Sequence, residues 1–182
     1  MTGTDVKDDT DTLSRERSDV LASLAHARHF LRFTARGLTT EQALLRTTAS
    51  ALTIAGLIKH VTAAEKWWAD FTVTGGTGTM RKDYSDWTEE DFASLDGEFV
   101  PGPDETLEDL LAAYDDVAAR TDALVRRLPS LDDERELPNA PWFAERSWSA
   151  RRVLQHIVSE TAQHAGHADI IRESLDGSRS MG

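Results

Sequence analysis

No cysteine occurs in the 182 residues. That excludes disulfides, thiolate metal sites and a cysteine nucleophile. Disulfide-free chains fit the cytoplasm, which is the expected location. Basic residues are also scarce: 20 Lys and Arg stand against 32 Asp and Glu, a formal net charge of −12. Such a chain repels phosphate backbones, and its densest basic groups, Arg126-Arg127 and Arg151-Arg152, are too small to reverse that. Nucleic acid is therefore not an expected partner. Long apolar runs are missing too. The most apolar stretch, Ala51 to Ala64, is interrupted by Lys59 and His60 and is too short and polar to span a bilayer. The start of the chain lacks a basic segment followed by an apolar one, so no signal peptide is expected. Prolines number only five, and none falls inside the periodic segments described next.

Apolar residues make up 40% of the chain, enough for one domain with a real core. Residues 1–12 are polar and acidic and read as a mobile tail; residues 178–182 form a second tail. Between them, over 13–177, four long segments repeat apolar residues at steps of three and four, the signature of amphipathic helices. The first runs from Leu13 to Arg36 with Val20, Leu21, Leu24, Ala27, Phe30 and Leu31 on one face. The second, about Ala51 to Phe71, follows Ser50 as its expected N-cap and presents Leu57, Ile58, Val61, Trp68 and Phe71. The third starts at the capping signal Thr106…Asp109 and is stopped by Pro129. The fourth is capped by Ser147 or Ser149 and terminated at Gly177. Short helical turns are expected at Thr40-Glu41-Gln42 and after Thr88, and a small hairpin or lid over 129–148. Four such helices joined by two long loops indicate an all-α four-helix bundle.

The fourth segment carries the most chemistry. His156, Glu160, His164 and His167 follow one another at steps of four, four and three. At roughly 100° per residue they fall within about 80° of one helix face. Imidazole and carboxylate are natural ligands for zinc and neighbouring divalent ions. One helix cannot surround an ion, so a further ligand must come from elsewhere. His60, on or beside the apolar face of the second helix, is the candidate. The preferred set is His60, Glu160 and His164, which leaves positions open for water or substrate, as in catalytic sites. His167 is either a fourth ligand or a donor lining the pocket, and His156 a group supporting the ligands. His26 and His29 read as packed or solvated residues. Of Trp67 and Trp68, one is read as a core anchor and the other as a loop contact, in preference to a substrate platform. Trp142, Phe143 and Trp148 either roof the metal pocket or seal one end of the bundle. Arg151 and Arg152 read as solvated residues at a helix start, and Asp169, Arg172 and Glu173 as surface or interhelix ion pairs.

Leu57-Ile58-Lys59-His60-Val61 with Glu65-Lys66-Trp67-Trp68, and Glu160-Thr161-Ala162-Gln163-His164-Ala165-Gly166-His167-Ala168-Asp169, resemble the two signatures of the DinB-like superfamily, which includes mycothiol-dependent maleylpyruvate isomerase. The similarity spans roughly residues 13–177. It implies an up-down-down-up bundle and a divalent metal, zinc before nickel or iron, held by residues matching His60, Glu160 and His164. The middle ligand is histidine in many relatives and glutamate in the isomerase, the pattern Glu160 follows. The resemblance further implies a low-molecular-weight thiol bound near the metal. The expected activity is therefore metal-dependent activation of a mycothiol-like thiol, or of water, against a small electrophile. A homodimer is also expected. The alternative is a non-catalytic metal- or ligand-binding stress-response bundle whose fourth ligand, His167 or His156, closes the coordination sphere.

Overall fold

The computed structural model describes residues 13–76 and 82–180. The two tails expected at 1–12 and 178–182 lie outside these residues, apart from 178–180. Among the described residues six α-helices and one two-stranded ribbon follow in the order α1 (Arg15–Ala35), α2 (Thr40–Ala43), α3 (Ile54–Thr74), α4 (Glu89–Gly97), α5 (Leu107–Arg127), β1 (Glu134–Glu136), β2 (Ser147–Ser149) and α6 (Ala150–Asp176), with a 3₁₀ turn at Tyr84–Asp86.

Local chemistry sets most boundaries. The α2 turn has a full capping box between Thr39 and Gln42, and α5 one between Thr106 and Asp109. Ser149 rather than Ser147 caps α6, and Gly177 ends it in the left-handed region at φ 79°. The start of α3 differs from expectation. Thr53, not Ser50, is the N-cap, its hydroxyl accepting from the Gly56 amide, while Ser50 accepts from Leu52 N–H in a local turn. Both residues can cap. Only capping at Thr53 starts the helix where Ile54, Ala55, Leu57 and Ile58 all enter the core.

Helices α1, α3, α5 and α6 form the bundle. Arg28 and Arg32 of α1 reach Asp122 and Asp115 of α5, so these two run antiparallel. His60 near the start of α3 faces His164 late in α6, while Trp68 further along α3 meets Trp148 and His156 at the start of α6. That pair is antiparallel too. The resulting directions are up, down, down, up, as the resemblance implied. Among the described residues, no helix is long and apolar enough to cross a membrane.

The buried apolar residues divide into two clusters. One, at the Ala35/Ile54 end, gathers Leu31, Leu57, Ile58, Val61, Leu110, Tyr114, Ala168 and Ile171. The other, at the opposite end, gathers Leu24, Trp68, Phe71, Val125, Trp148, Val153 and Ile157. Between them lies a polar layer. Arg28 and Glu65, each 2% exposed, make a bidentate ion pair across α1 and α3, and Arg28 also donates to Asp122 on α5 at 2.7 Å. Thr121 and Thr161 are also buried, the Thr121 hydroxyl donating to the Val117 carbonyl one turn back on α5. Arg172 does more than pair with Asp176: it donates to the carbonyls of Thr34 and Arg36 and so satisfies the C-terminus of α1.

The expected hairpin over 129–148 is the β1–β2 ribbon, in which Arg135 pairs with Trp148. It lays Trp148 on Trp68, ring centroids 5.0 Å apart, with Phe143 against both and Arg152 over the outer ring face at 4.1 Å. These residues seal the bundle end. Trp142 instead joins Tyr84, Trp87 and Phe92 in an aromatic cluster outside the bundle core. Trp68 is the core anchor of its pair and Trp67 is partly buried beside it. Arg151 is not merely solvated, since it bonds both Glu16 and Asp132.

Removing one partner of the buried pair strands the other charge in the interior. Arg28→Ala is expected to lower unfolding free energy by about 3–5 kcal/mol, read from urea denaturation. A loss below about 1 kcal/mol, typical of an exposed ion pair, would show that the layer contributes nothing special.

Candidate metal centre

Three side chains converge where α3 and α6 cross. Glu160 Oε1 lies 3.4 Å from His60 Nε2 and 3.1 Å from His164 Nε2. One donor atom from each residue falls within 4.8 Å of the others. Donors around an ion at ~2.1 Å stand ~3.0 Å apart in octahedral and ~3.4 Å in tetrahedral geometry. Both distances to Glu160 Oε1 fall in that range, and all three donors lie close enough for side-chain rotation to close them on one divalent ion. A carboxylate and two imidazoles are also the right donor chemistry for zinc or its first-row neighbours.

Electrostatics keep the donors in order. Hydrogen bonds from His164 and His60 hold the Glu160 carboxyl far below the usual range, so it is ionised. Burial draws the His60 imidazole down, but its contacts with Glu160 and Glu98 outweigh this and the net shift is upward. The Glu160 side chain keeps 27% of its surface exposed against 14% for His60 and 11% for His164. Solvent thus reaches the trio from the carboxylate side.

The helical stripe does not act as one unit. His167 Nδ1 faces His164 Nδ1 at 3.4 Å, the ring nitrogen remote from Glu160. It is a neighbour of a candidate ligand and not a fourth member of the group. His156, one turn before Glu160, packs its ring against Trp68 at 4.7 Å and Trp148 at 5.2 Å, and burial lowers its pKa. It belongs to the aromatic end of the bundle. His26 and His29 are exposed on α1 against Phe30 and Phe33, both of which are only partly buried.

Three residues at the site went unread in the sequence. Phe99, in the turn after α4, stacks on the His60 ring with centroids 3.9 Å apart and an interplanar angle of 14°. Phe99, not the tryptophan loop, covers the trio. Glu98, its neighbour, brings Oε2 to 3.4 Å from His60 Nδ1. Gly56 makes this approach possible: a Cβ there would stand 2.3 Å from the Phe99 carbonyl oxygen. A glycine inside a strongly apolar helix was the available signal.

A family model described as mycothiol-S-transferase matches residues 19–177. The chain belongs to this family. The match covers all of the bundle except the first turn of α1, includes all three candidate ligands, and bears out the DinB-like resemblance. Two solved structures share the fold. A conserved protein from Enterococcus faecalis superposes with a TM-score of 0.66 at 12% identity, over 91% of this chain and 100% of that one. YfiT from Bacillus subtilis, described as a probable metal-dependent hydrolase with an unusual four-helix bundle topology, superposes at 0.62 and 14% identity, over 98% of this chain and 95% of that one. At such identities the likeness establishes the architecture alone. No curated protein matches the chain in sequence.

Gly56→Ala forces the Phe99 segment away from α3. It is expected to cost about 1–3 kcal/mol, as overpacking does, and to remove the upfield ring-current shift that Phe99 imposes on the His60 ring protons. Denaturation and two-dimensional NMR of the histidine rings read the two effects. Unchanged His60 resonances would contradict the stacking.

Proposed function

We propose that this family member is a metal-dependent enzyme that activates mycothiol, or a closely similar low-molecular-weight thiol, for transfer to a small electrophile. His60, Glu160 and His164 hold the ion. The observation that carries this reading is the donor count. Among the described residues three side chains converge and the two remaining stripe histidines do not. Three protein ligands leave coordination positions for an exogenous group, whereas four protein donors would favour a structural role. The family match supports the thiol as that group.

A divalent ion favours the thiolate of a bound thiol, the form that attacks, at a pH where a free thiol of pKa about 8.5 is mostly protonated. The chain's own residues do the rest. Glu160 supplies the single anionic donor. Phe99 covers His60 and restricts water, and the exposed edge of Glu160 marks the approach. The absence of cysteine fits, because the sulfur comes from the substrate. Zinc as the ion, a cytoplasmic setting and a homodimer complete the reading.

The test is conjugation of mycothiol to monochlorobimane, followed by fluorescence. A sulfur–carbon bond forms, chloride leaves with its electron pair, and the thiol proton passes to solvent. Zinc-loaded wild type is expected to accelerate conjugation well above buffer, and His164→Ala to fall to the buffer rate. Wild-type protein that never exceeds buffer, with chlorobimane and with a panel of electrophiles, would overturn the thiol-transfer reading.

A further inference from the structure

We infer that Glu98 is a positioning residue for His60, fixing which ring nitrogen faces the ion. This rests on the proposed ligand role of His60. Nε2 of His60 points to Glu160, so the opposite nitrogen, Nδ1, must carry the ring proton for Nε2 to offer a lone pair. That Nδ1 is buried and has no formed hydrogen bond. Buried donors in folded proteins find partners, and Glu98 Oε2 stands 3.4 Å away on the Nδ1 side. A small rotation of the Glu98 side chain, a third of which is exposed, completes the bond without moving the backbone.

The segment that carries Glu98 is built to hold it there. Glu98 N–H donates to the Leu95 carbonyl and Val100 N–H to the Gly97 carbonyl, closing the turn after α4. The next residue, Phe99, lays its ring on the His60 face and its carbonyl on Gly56. Two consecutive residues of another element thus stack on the His60 face and stand beside its Nδ1. Metal-bound histidines elsewhere owe their tautomer and part of their affinity to such a carboxylate. His164 is treated differently: its remote nitrogen faces the His167 ring and not a carboxylate. The two imidazole donors thus differ in what stands beside the nitrogen remote from Glu160: a carboxylate for His60 and a second imidazole for His164.

The experiment is zinc binding to the full chain by competition with a chromophoric chelator, for wild type, Glu98→Ala and Glu98→Gln. Glu98→Ala is expected to weaken zinc binding by about 10–100-fold. Glu98→Gln, which keeps an oxygen acceptor, is expected to recover a substantial part of that loss. The visible absorption of the cobalt-substituted protein should shift in Glu98→Ala while the thermal unfolding of the metal-free protein stays unchanged, a pattern that a purely structural role for the turn would not give. Equal zinc affinity in wild type and Glu98→Ala would overturn the inference and leave the metal centre standing. Failure of wild type to bind zinc or cobalt would remove the metal centre and this inference with it.

Discussion

The antiparallel crossing of α3 and α6 is the contact on which the rest depends. A single helix offers two donors one turn apart and no more at ion distance, so Glu160 and His164 need a third group from a facing helix. The crossing supplies it only if the register is right. One turn of slippage, about 5.4 Å, would carry His60 out of reach of both. Trp68 stacked on Trp148 ties α3 to the start of α6 on one side of the trio. On the other, Gly56 lets Phe99 approach α3, and the Phe99 ring meets both His60 and His164. The Arg28–Glu65 pair then ties α3 to α1, and through Asp122 to α5.

The polar layer also explains why the core is split. Placing a bidentate ion pair, two threonines and the candidate metal donors in the middle of a bundle this size interrupts apolar packing, leaving two clusters. A buried ion pair is weak evidence for stability, because desolvation offsets the attraction, but it penalises any packing that separates its partners. In this bundle the alternatives it opposes are rotations of α3, the same movements that would misdirect His60. The candidate donor set carries one negative charge. In the proposed site, one carboxylate in place of a third imidazole would leave a divalent ion a net charge of one and moderate its pull on a bound sulfur or oxygen.

Much of this was legible in the sequence because periodic patterns report helices well. The four long segments, the cap at Thr106, a serine cap at 147 or 149 and the stop at Gly177 follow from spacing and residue type, while His60 was joined to the Glu160/His164 pair as a candidate that the family resemblance supported. What escaped did so for identifiable reasons. His167 shares the face of Glu160 and His164 by angle, yet helix geometry alone does not say which ring nitrogen meets which neighbour. Arg28 and Glu65 sit at core positions, between Leu24 and Leu31 and between Val61 and Trp68, so their burial was readable, but their partnership spans 37 residues and two helices. Glu98 and Phe99 lie in a loop without periodicity, and only the fold brings them to His60. The tryptophan loop left two readings open, a roof over the pocket or a seal on the bundle end, and the hairpin decides between them by turning Trp148 toward Trp68 at the bundle end.

The central claim is that residues from α3 and α6 jointly hold one ion. Elemental analysis of tag-free protein, wild type beside a His60→Ala variant, addresses it directly. The account predicts about one zinc, nickel or iron per chain in wild type and background levels in the variant, which keeps the whole α6 stripe intact. Equal metal content in both would place the ion on α6 alone and contradict the shared site. No metal in the wild type, even after reconstitution, would reduce the three converging side chains to a polar network between helices.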